Sequence, residues 1–241
     1  MIPLIRLIRL GTIDSTQAYL NRRPELGFCG VMADNQSAGR GRGGNSWESA
    51  PGTGLYLSAR LPIPILPTGT ILQAAMQAVI GTLHDMGVME GSTTKLGLKW
   101  PNDLVAYRES KDGKNLVKIG GIIGEQKSDC VLLGLGLNIF GSPELPERPI
   151  PPASLALLGV ENLPDIEGLA KQILMAWQNL ETYGRPSERA FRWPNVGDQI
   201  RWEEGSGICQ GWEADGRLAV RTESGPVLLS SGDISGISAD S

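Results

Sequence analysis

Residues Val117–Phe140 read VKIGGIIGEQKSDCVLLGLGLNIF, two strand-like apolar runs joined by the short polar segment Gln126–Asp129. Two such runs separated by a few polar residues are typical of neighbouring antiparallel strands. The stretch therefore predicts a β-hairpin. Gly120 and Gly121 in the first run would let a ligand lie against the strand backbone, although tight packing within a sheet is the ordinary explanation for such glycines.

On both sides of this hairpin the sequence predicts further strands and helices in irregular order. Strands are predicted at 54–61 and 95–100, and apolar stripes at helical spacing predict helices at 70–86 and 166–183. A short helix is predicted at 17–20, after an N-terminal strand. Because these elements do not alternate as in a doubly wound parallel sheet, we expect an α+β fold with a mixed, largely antiparallel sheet and packed helices.

The pattern changes near residue 195 to short alternating segments punctuated by glycines, including the Asp215-Gly216 pair. Short strands with closely spaced turn signals predict a small β-barrel. We therefore divide the chain into a domain at 1–190 and a C-terminal barrel at 191–241.

The composition is that of an ordinary globular protein, and it excludes several functional classes. Of the 241 residues, 41% are hydrophobic and 20% charged, and no apolar run approaches the length of a membrane span. The net charge of −4 argues against general nucleic-acid binding. Cys29, Cys130 and Cys209 lie far apart in the sequence and no export signal is found, so the sequence predicts a cytoplasmic protein. The charge and the lack of a long apolar run predict no DNA partner and no membrane partner.

The segment Gly39–Trp47 reads GRGRGGNSW and combines glycines with fixed positive charge. Glycines let backbone N–H groups approach an anion, and the guanidinium groups of Arg40 and Arg42 match phosphate or carboxylate oxygens. The spacing fits neither a P-loop nor a dinucleotide-binding fingerprint. The segment therefore predicts an anion-binding loop, with a mobile linker or a short RNA-binding segment as alternatives.

Three further segments carry polar groups that could serve a site. They are Lys99–Asp103 (KWPND), Lys118 within the hairpin, and Gly134–Asn138 (GLGLN). Taken alone, each also has an ordinary explanation: a capped turn, a solvated lysine and close packing of strands.

Taken together and in this order, these segments resemble the catalytic domain of the biotin–protein ligases over most of residues 10 to 140. The matching pieces are Asp14–Gln17, Ala33–Gln36, Gly39–Trp47, Leu55–Ser58, Lys99–Leu104, Lys118–Glu125 and Gly134–Asn138. The resemblance implies the class II synthetase-like fold of that family, and the C-terminal segment resembles the family's SH3-like barrel.

The resemblance also implies a two-step reaction in which biotin and ATP form biotinyl-5′-AMP, and the biotinyl group is then transferred to a lysine of a biotin carboxyl carrier protein. A carboxylate and a triphosphate repel each other, so cationic side chains and Mg²⁺ are expected to offset their charge. Of the candidates, Arg40, Arg42 and Lys118 carry that charge. No metal-binding residues are identified.

The resemblance assigns site residues in three groups. The expected biotin-binding residues are Ser15, Thr16, Gln36, Gly39, Arg40, Lys118, Gly120 and Gly121. The expected nucleotide-binding residues are Arg42, Trp47, Asn102 and Asn138. The expected catalytic residues are Lys118, Arg42, Asp103 and Lys99, with Asp103 acting on the acceptor lysine in the second step.

Two positions depart from the family pattern, and two other functions stay open. Asn45 stands where the loop usually has another arginine, and Ala18 stands where a polar residue often occurs.

We expect no winged-helix DNA-binding domain, and relatives allow a homodimer. The alternatives are a lipoate or octanoate ligase or transferase of the same superfamily, and a non-catalytic biotin or nucleotide sensor.

Overall fold

A computed structural model describes residues 6–110, 113–144 and 149–236, and its main feature is an eight-stranded sheet. Its strands are β1 (Arg6–Ile13), β2 (Cys29–Gln36), β3 (Gly54–Leu61), β4 (Lys95–Lys99), β5 (Asp103–Ser110), β6 (Gly113–Gln126), β7 (Val131–Asn138) and β8 (Phe191–Trp193). The strand order is β1-β2-β3-β7-β6-β5-β4-β8. Among the strands in these described ranges, only β1 with β2 and β4 with β8 pair in parallel, which confirms a mixed, largely antiparallel sheet.

The predicted hairpin is confirmed and lies near the centre of this sheet. Strands β6 and β7 pair from Gly120 with Leu137 to Gln126 with Val131. Lys127 N donates to Cys130 O at 2.8 Å and closes the connection between the strands. The glycines of the hairpin therefore lie in the middle of the sheet, with β3 and β5 on either side.

Within the described residues, four α-helices accompany the large sheet: α1 (Thr16–Asn21), α2 (Ile71–Asp85), α3 (Ile166–Trp177) and α4 (Leu180–Tyr183). The first two confirm the predicted helices, and Ser15 caps α1 by accepting a hydrogen bond from Ala18 N. The single helix predicted at 166–183 is wrong, because Asn179 leaves the helical region with φ −132° and ψ 52°. Asparagine competes with helical hydrogen bonding, and here its side chain donates to Met175 O at 3.3 Å.

The helices lie on opposite faces of the sheet, with α1 on one side and α2 and α3 on the other. Side chains of adjacent strand residues point to opposite faces. A Cβ on Gly124 would meet Leu72 of α2, whereas one on Gly134, which pairs with the neighbouring Ile123, would meet Gln17 of α1. The core therefore fills the α2 and α3 side, and α1 lies on the opposite face, here called the site face. No helix in the described ranges is long and apolar enough to cross a membrane.

The C-terminal strands form a second, antiparallel sheet. They are β9 (Gln199–Trp202), β10 (Gly205–Trp212), β11 (Leu218–Thr222), β12 (Gly225–Leu229) and β13 (Ser235–Gly236), in the order β12-β11-β10-β9-β13. Within residues 149–236 no ladder joins β12 to β13, so the sheet is open and closure into a barrel stays a prediction. The division at residue 190 also stays a prediction, since β8 belongs to the large sheet and the small sheet begins at Gln199.

The turn between β10 and β11 of the small sheet contacts α2 and the segment after β4. The carbonyl group of Gly216 lies at this contact. This oxygen accepts hydrogen bonds from Gln73 Nε2 at 2.8 Å and from the buried Trp100 Nε1 at 3.0 Å. The backbone of Gly216 also lies against Gly69, where a Cβ on Gly216 would come within 2.2 Å of the Gly69 oxygen. At Gly216 and Gly69 the two backbones therefore approach too closely to leave space for a side chain.

We expect Gly216→Ala to lower the free energy of unfolding by about 2 kcal/mol, as overpacking typically does. The new Cβ would collide with the Gly69 backbone, and the φ of +91° already disfavours a side chain. Gly225→Ala is the matched control, because Gly225 has φ +124° with no atom within 4 Å of its Cβ. Urea unfolding followed by circular dichroism measures both variants, and equal losses would contradict the steric explanation.

Candidate active site

A cavity of about 520 Å³ opens on the site face between α1, the glycine-rich loop, the hairpin and the small sheet. A volume of this size is typical of sites for small molecules and nucleotides. Most of the residues singled out in the sequence line it: Ser15, Thr16, Gln36, Arg40, Arg42, Trp47, Lys99, Asn102, Asp103, Lys118, Gly121 and Asn138. The structure thus brings together residues from widely separated segments of the chain.

One end of the cavity is a network of small hydroxyl and amide groups at the start of α1. Gln36 Oε1 accepts hydrogen bonds from Thr16 N at 2.9 Å and Thr16 Oγ1 at 3.1 Å. Thr16 Oγ1 also lies 2.8 Å from Ser58 Oγ, and Gln36 Nε2 donates to Ser49 Oγ at 2.8 Å. These paired, partly buried groups form a rigid polar end that suits a small ligand with its own donors and acceptors.

The glycine-rich loop forms a narrow turn over the cavity. Its two sides are joined by hydrogen bonds from Gly41 N to Asn45 O at 2.7 Å and from Trp47 N to Gly39 O at 2.9 Å. At the tip, Gly43 and Gly44 have φ of +63° and +83°, a conformation that side chains disfavour. A Cβ on Gly39 would meet Trp47 O at 2.3 Å, so glycine is needed there for the two sides to approach.

Trp47 lies across the floor of the cavity. Its indole ring covers Gly136, where a Cβ would come within 2.3 Å of the ring, and the Lys118 ammonium lies 5.8 Å from the ring centroid. The indole Nε1 is buried without a hydrogen-bond partner, as is Gln17 Oε1 beside Gly134. Buried polar atoms are nearly always paired, so these two mark positions where a bound ligand could supply the missing partner.

The opposite end of the cavity holds a carboxylate between two ammonium groups. Asp103 Oδ1 lies 2.6 Å from Lys118 Nζ, and Asp103 Oδ2 lies 3.6 Å from Lys99 Nζ. The Lys99 side chain is 5% exposed, whereas that of Lys118 is 33% exposed. Burial lowers the pKa of Lys99, although the charge of Asp103 opposes that shift. Lys118 is thus the lysine of the pair that can reach a ligand.

Lys118 points into the cavity because β6 contains a bulge. Leu104 of β5 pairs with Gly120, but the next residue, Val105, pairs with Lys118, so Ile119 is skipped. A skipped residue shifts the alternation of side chains by one position. Ile119 is consequently buried in the core, and Lys118 lies on the site face.

Two asparagines in the cavity wall hold neighbouring backbone segments in place. Asn102 Nδ2 donates to Ile122 O at 2.9 Å, and Asn138 Nδ2 donates to Ala153 O at 3.0 Å. Both side chains are buried. Their amide nitrogens therefore bond to the backbone and hold the wall of the cavity in shape.

The small sheet closes the cavity from the side opposite the large sheet. The lining residues on this side are Arg201, Trp202, Glu203, Asp233, Ile234 and Ser235. Asp233 Oδ1 accepts a hydrogen bond from Arg42 Nη2 at 3.0 Å, which ties the glycine-rich loop to the small sheet. No group of three or more histidine, cysteine or acidic side chains that could hold a metal ion occurs in the described ranges.

Comparison with known proteins places these features in a family. A family profile described as the biotin/lipoate A/B protein ligase family matches residues 12–138, which include most of the cavity-lining residues. The chain belongs to this family. The matched segment is more than half of the chain and contains the polar end, the loop and the Lys118 cluster.

Individual members of the biotin/lipoate ligase family support this assignment. The chain is 30% identical over 219 residues to the biotin–[acetyl-CoA-carboxylase] ligase of Mycobacterium tuberculosis, covering 85% of this chain and 77% of the relative. It is 29% identical over 246 residues to the same-named ligase of Paracoccus denitrificans, covering 93% and 98%. Biotin protein ligase from Aquifex aeolicus in complex with biotin and ATP shares the fold, with a TM-score of 0.69 at 24% identity over 96% and 98% of the two chains.

Two residues predicted for biotin binding do not line the cavity of this biotin/lipoate ligase family member. Gly120 faces the core, since a Cβ there would meet Leu137 and Leu104, and we correct its expected position for that reason. The alternation of β6 puts Gly121 on the site face instead. Gly39 packs against Gln36 and the carbonyl group of Trp47, and the lack of a side chain lets the two sides of the glycine-rich loop approach each other.

Sequence reasoning assigned no role to several residues of the site in this family member. Ser58 and Ser49 complete the polar end, Gln17 supplies an unpaired acceptor, and Asp233 holds Arg42. A signal for Ser58 was present, because Leu55–Ser58 is one of the segments that carry the family resemblance. The position of Asp233 had no signal, since it depends on how the small sheet packs against the loop.

Proposed function

We propose that this chain is a biotin–protein ligase, which activates biotin with ATP and attaches it to a lysine of a carrier protein. The observation that carries the proposal is a single cavity with a neutral polar end at Thr16 and Gln36 and a cationic end at Lys118 and Arg42. Relatives named as biotin–[acetyl-CoA-carboxylase] ligases support the choice of biotin.

In the first step, a carboxylate oxygen of biotin attacks the α-phosphorus of ATP, and pyrophosphate leaves. The ureido ring of biotin is assigned to the polar end, where hydroxyl and amide groups match its donors and acceptors. Lys118 is assigned to the attacking carboxylate and the bridging oxygen, since it is the more exposed ammonium beside Asp103. Its fixed positive charge would stabilise the negative charge that develops during the transfer.

In the second step, the amine of the acceptor lysine attacks the acyl carbon of biotinyl-5′-AMP, an amide forms, and AMP leaves. The attacking ammonium must first lose a proton and be oriented. Asp103 is assigned to that orientation, because it lines the cavity between Lys99 and Lys118. Trp47, Asn102 and Asn138 are assigned to the wall around the nucleotide.

A metal ion, an acceptor protein and a cellular compartment complete this proposal. Mg²⁺ would bind together with ATP, held mainly by phosphate oxygens and water, as Mg²⁺ commonly is, and would offset phosphate charge. The acceptor would be a biotin carboxyl carrier protein, and the net charge of −4 supports a partner other than DNA. Three free, buried cysteines suit a reducing cytoplasm. An SH3-like barrel at 191–241 and a homodimer belong to the same proposal.

The proposal is tested by biotin-dependent exchange of labelled pyrophosphate into ATP in the presence of Mg²⁺. We expect exchange with biotin and none above background with lipoate, followed by labelling of an apo carrier domain. A carrier with its acceptor lysine replaced by arginine is the matched control and should stay unlabelled. Exchange with lipoate alone would make the chain a lipoate ligase, a second candidate that the joint family leaves open. Binding without any exchange would favour a sensor.

A further inference from the structure

Asp233 lies at the mouth of the cavity, in the short connection between β12 and β13 of the small sheet. Its side chain is 77% exposed, and its Oδ1 accepts a hydrogen bond from Arg42 Nη2 at 3.0 Å. Arg42 is 30% exposed and belongs to the glycine-rich loop. One carboxylate therefore pairs with the guanidinium that the sequence predicts to bind the nucleotide.

The charge of Asp233 also acts on a second cation of the site. Burial lowers the pKa of Lys99, and Asp233, like Asp103, opposes that shift through its negative charge. Lys118 is in turn held by Asp103. Carboxylates thus lie beside each of the three cations Arg42, Lys99 and Lys118.

We propose that Asp233 competes with the phosphates of the nucleotide for Arg42, so that ATP binding transfers the guanidinium from the small sheet to phosphate. This inference rests on the proposed function for the identity of the anion. Asp233 acts here as a positioning residue, because its direct contact with the site is the hydrogen bond that it accepts from Arg42. No role was assigned to it from the sequence.

The direction of the exchange follows from the strengths of the two contacts. An exposed ion pair contributes little to stability, because water and salt screen it. Arginine binds phosphate through parallel hydrogen bonds to several charged oxygens, which is a stronger contact. Phosphate should therefore displace the carboxylate. The free energy needed to separate Arg42 from Asp233 then makes ATP binding weaker than it would be in a chain without Asp233.

The polar end of the cavity should not respond to this exchange. Thr16, Gln36 and Ser58 bond to one another and not to Arg42 or Asp233. The competition therefore predicts an effect on the nucleotide that is separate from any effect on biotin. A general loosening of the site would alter both.

The test compares Asp233→Asn with Glu223→Gln, which removes one exposed negative charge from the turn between β11 and β12, away from the cavity. We expect Asp233→Asn to lower the KM for ATP in the exchange reaction about two- to five-fold, with the KM for biotin unchanged. Asp233→Glu should restore the original KM, and Glu223→Gln should have no effect. An unchanged or raised KM for ATP in Asp233→Asn would overturn the proposal.

A binding measurement separates this inference from the proposed function. Calorimetric titration with inorganic pyrophosphate, without biotin, should show tighter binding to Asp233→Asn by a similar factor, and the difference should vanish in an Arg42→Ala background. If the chain shows no biotin-dependent exchange but Asp233→Asn still binds pyrophosphate more tightly, only the proposed function is contradicted. Active exchange without the difference would remove only the competition. Asp233→Ser serves in the same titration if Asp233→Asn does not fold.

Discussion

Replacing Lys118 by alanine should lower the rate of biotin-dependent pyrophosphate exchange by about 10²- to 10³-fold, the usual cost of removing one group that stabilises developing charge. The Lys118 ammonium is the exposed cation beside Asp103, and the bulge at Ile119 holds it on the site face. No other described lysine occupies an equivalent position, since Lys99 is only 5% exposed. The loss should appear in kcat more than in the KM for biotin.

Lys127→Ala is the matched control for this prediction. Lys127 lies on the same hairpin, is 33% exposed like Lys118, and pairs with Glu125 outside the main cavity. Its removal should leave exchange unchanged. Lys118→Arg, which keeps the charge but not the shape, should retain a measurable part of the activity. Exchange that survives in Lys118→Ala at the wild-type rate would remove Lys118 from the first step.

Replacing Asp103 by asparagine should lower the free energy of unfolding by about 3 kcal/mol, because breaking a buried ion pair leaves an uncompensated charge. The charge left behind is that of Lys99, which is almost fully buried. The Lys118 ammonium would lose its 2.6 Å contact as well, so both reaction steps should slow. From the sequence, Asp103 is assigned to the second step alone, whereas the structure predicts that Asp103→Asn slows adenylation as well as transfer.

The pH dependence identifies Lys99 as the cause. Burial holds the pKa of Lys99 below its ordinary value, so this lysine loses its proton earlier on the alkaline side than an exposed lysine. The deficit of Asp103→Asn should be full while Lys99 is charged and should shrink as the pH rises through the lowered pKa of Lys99. Asp215→Asn, which removes an exposed pair with Arg217, should show neither the loss nor the trend in urea unfolding. A deficit that is constant with pH would exclude Lys99 as its cause.

Local patterns in the sequence predicted much of the fold. The hairpin of β6 and β7 follows from two apolar runs around a polar turn, and α2 follows from its apolar stripe. Strand β2 had no alternating pattern, since its first five residues are all buried, and β5 begins immediately after the turn at Asn102. A short-range pattern cannot distinguish such strands from loops. β8 is defined only by pairing with the distant β4.

The candidate site was predictable in its members but not in its geometry. The resemblance named Lys118, Asp103 and Thr16, and all three line one cavity. The bulge at Ile119, however, depends on the register between β5 and β6. The Arg42–Asp233 contact likewise depends on packing between two sheets, which the spacing of residues along the chain does not encode.

The ribosome synthesises the floor of the cavity before the small sheet that closes it. The floor is built from residues between Ser15 and Asn138, whereas Asp233 comes from the connection between β12 and β13 of the small sheet. Because domains generally fold in the order in which they leave the ribosome, the floor can form while the small sheet is still being made. For that interval the glycine-rich loop has no carboxylate from the small sheet, and Arg42 is available to any phosphate in the surrounding solution.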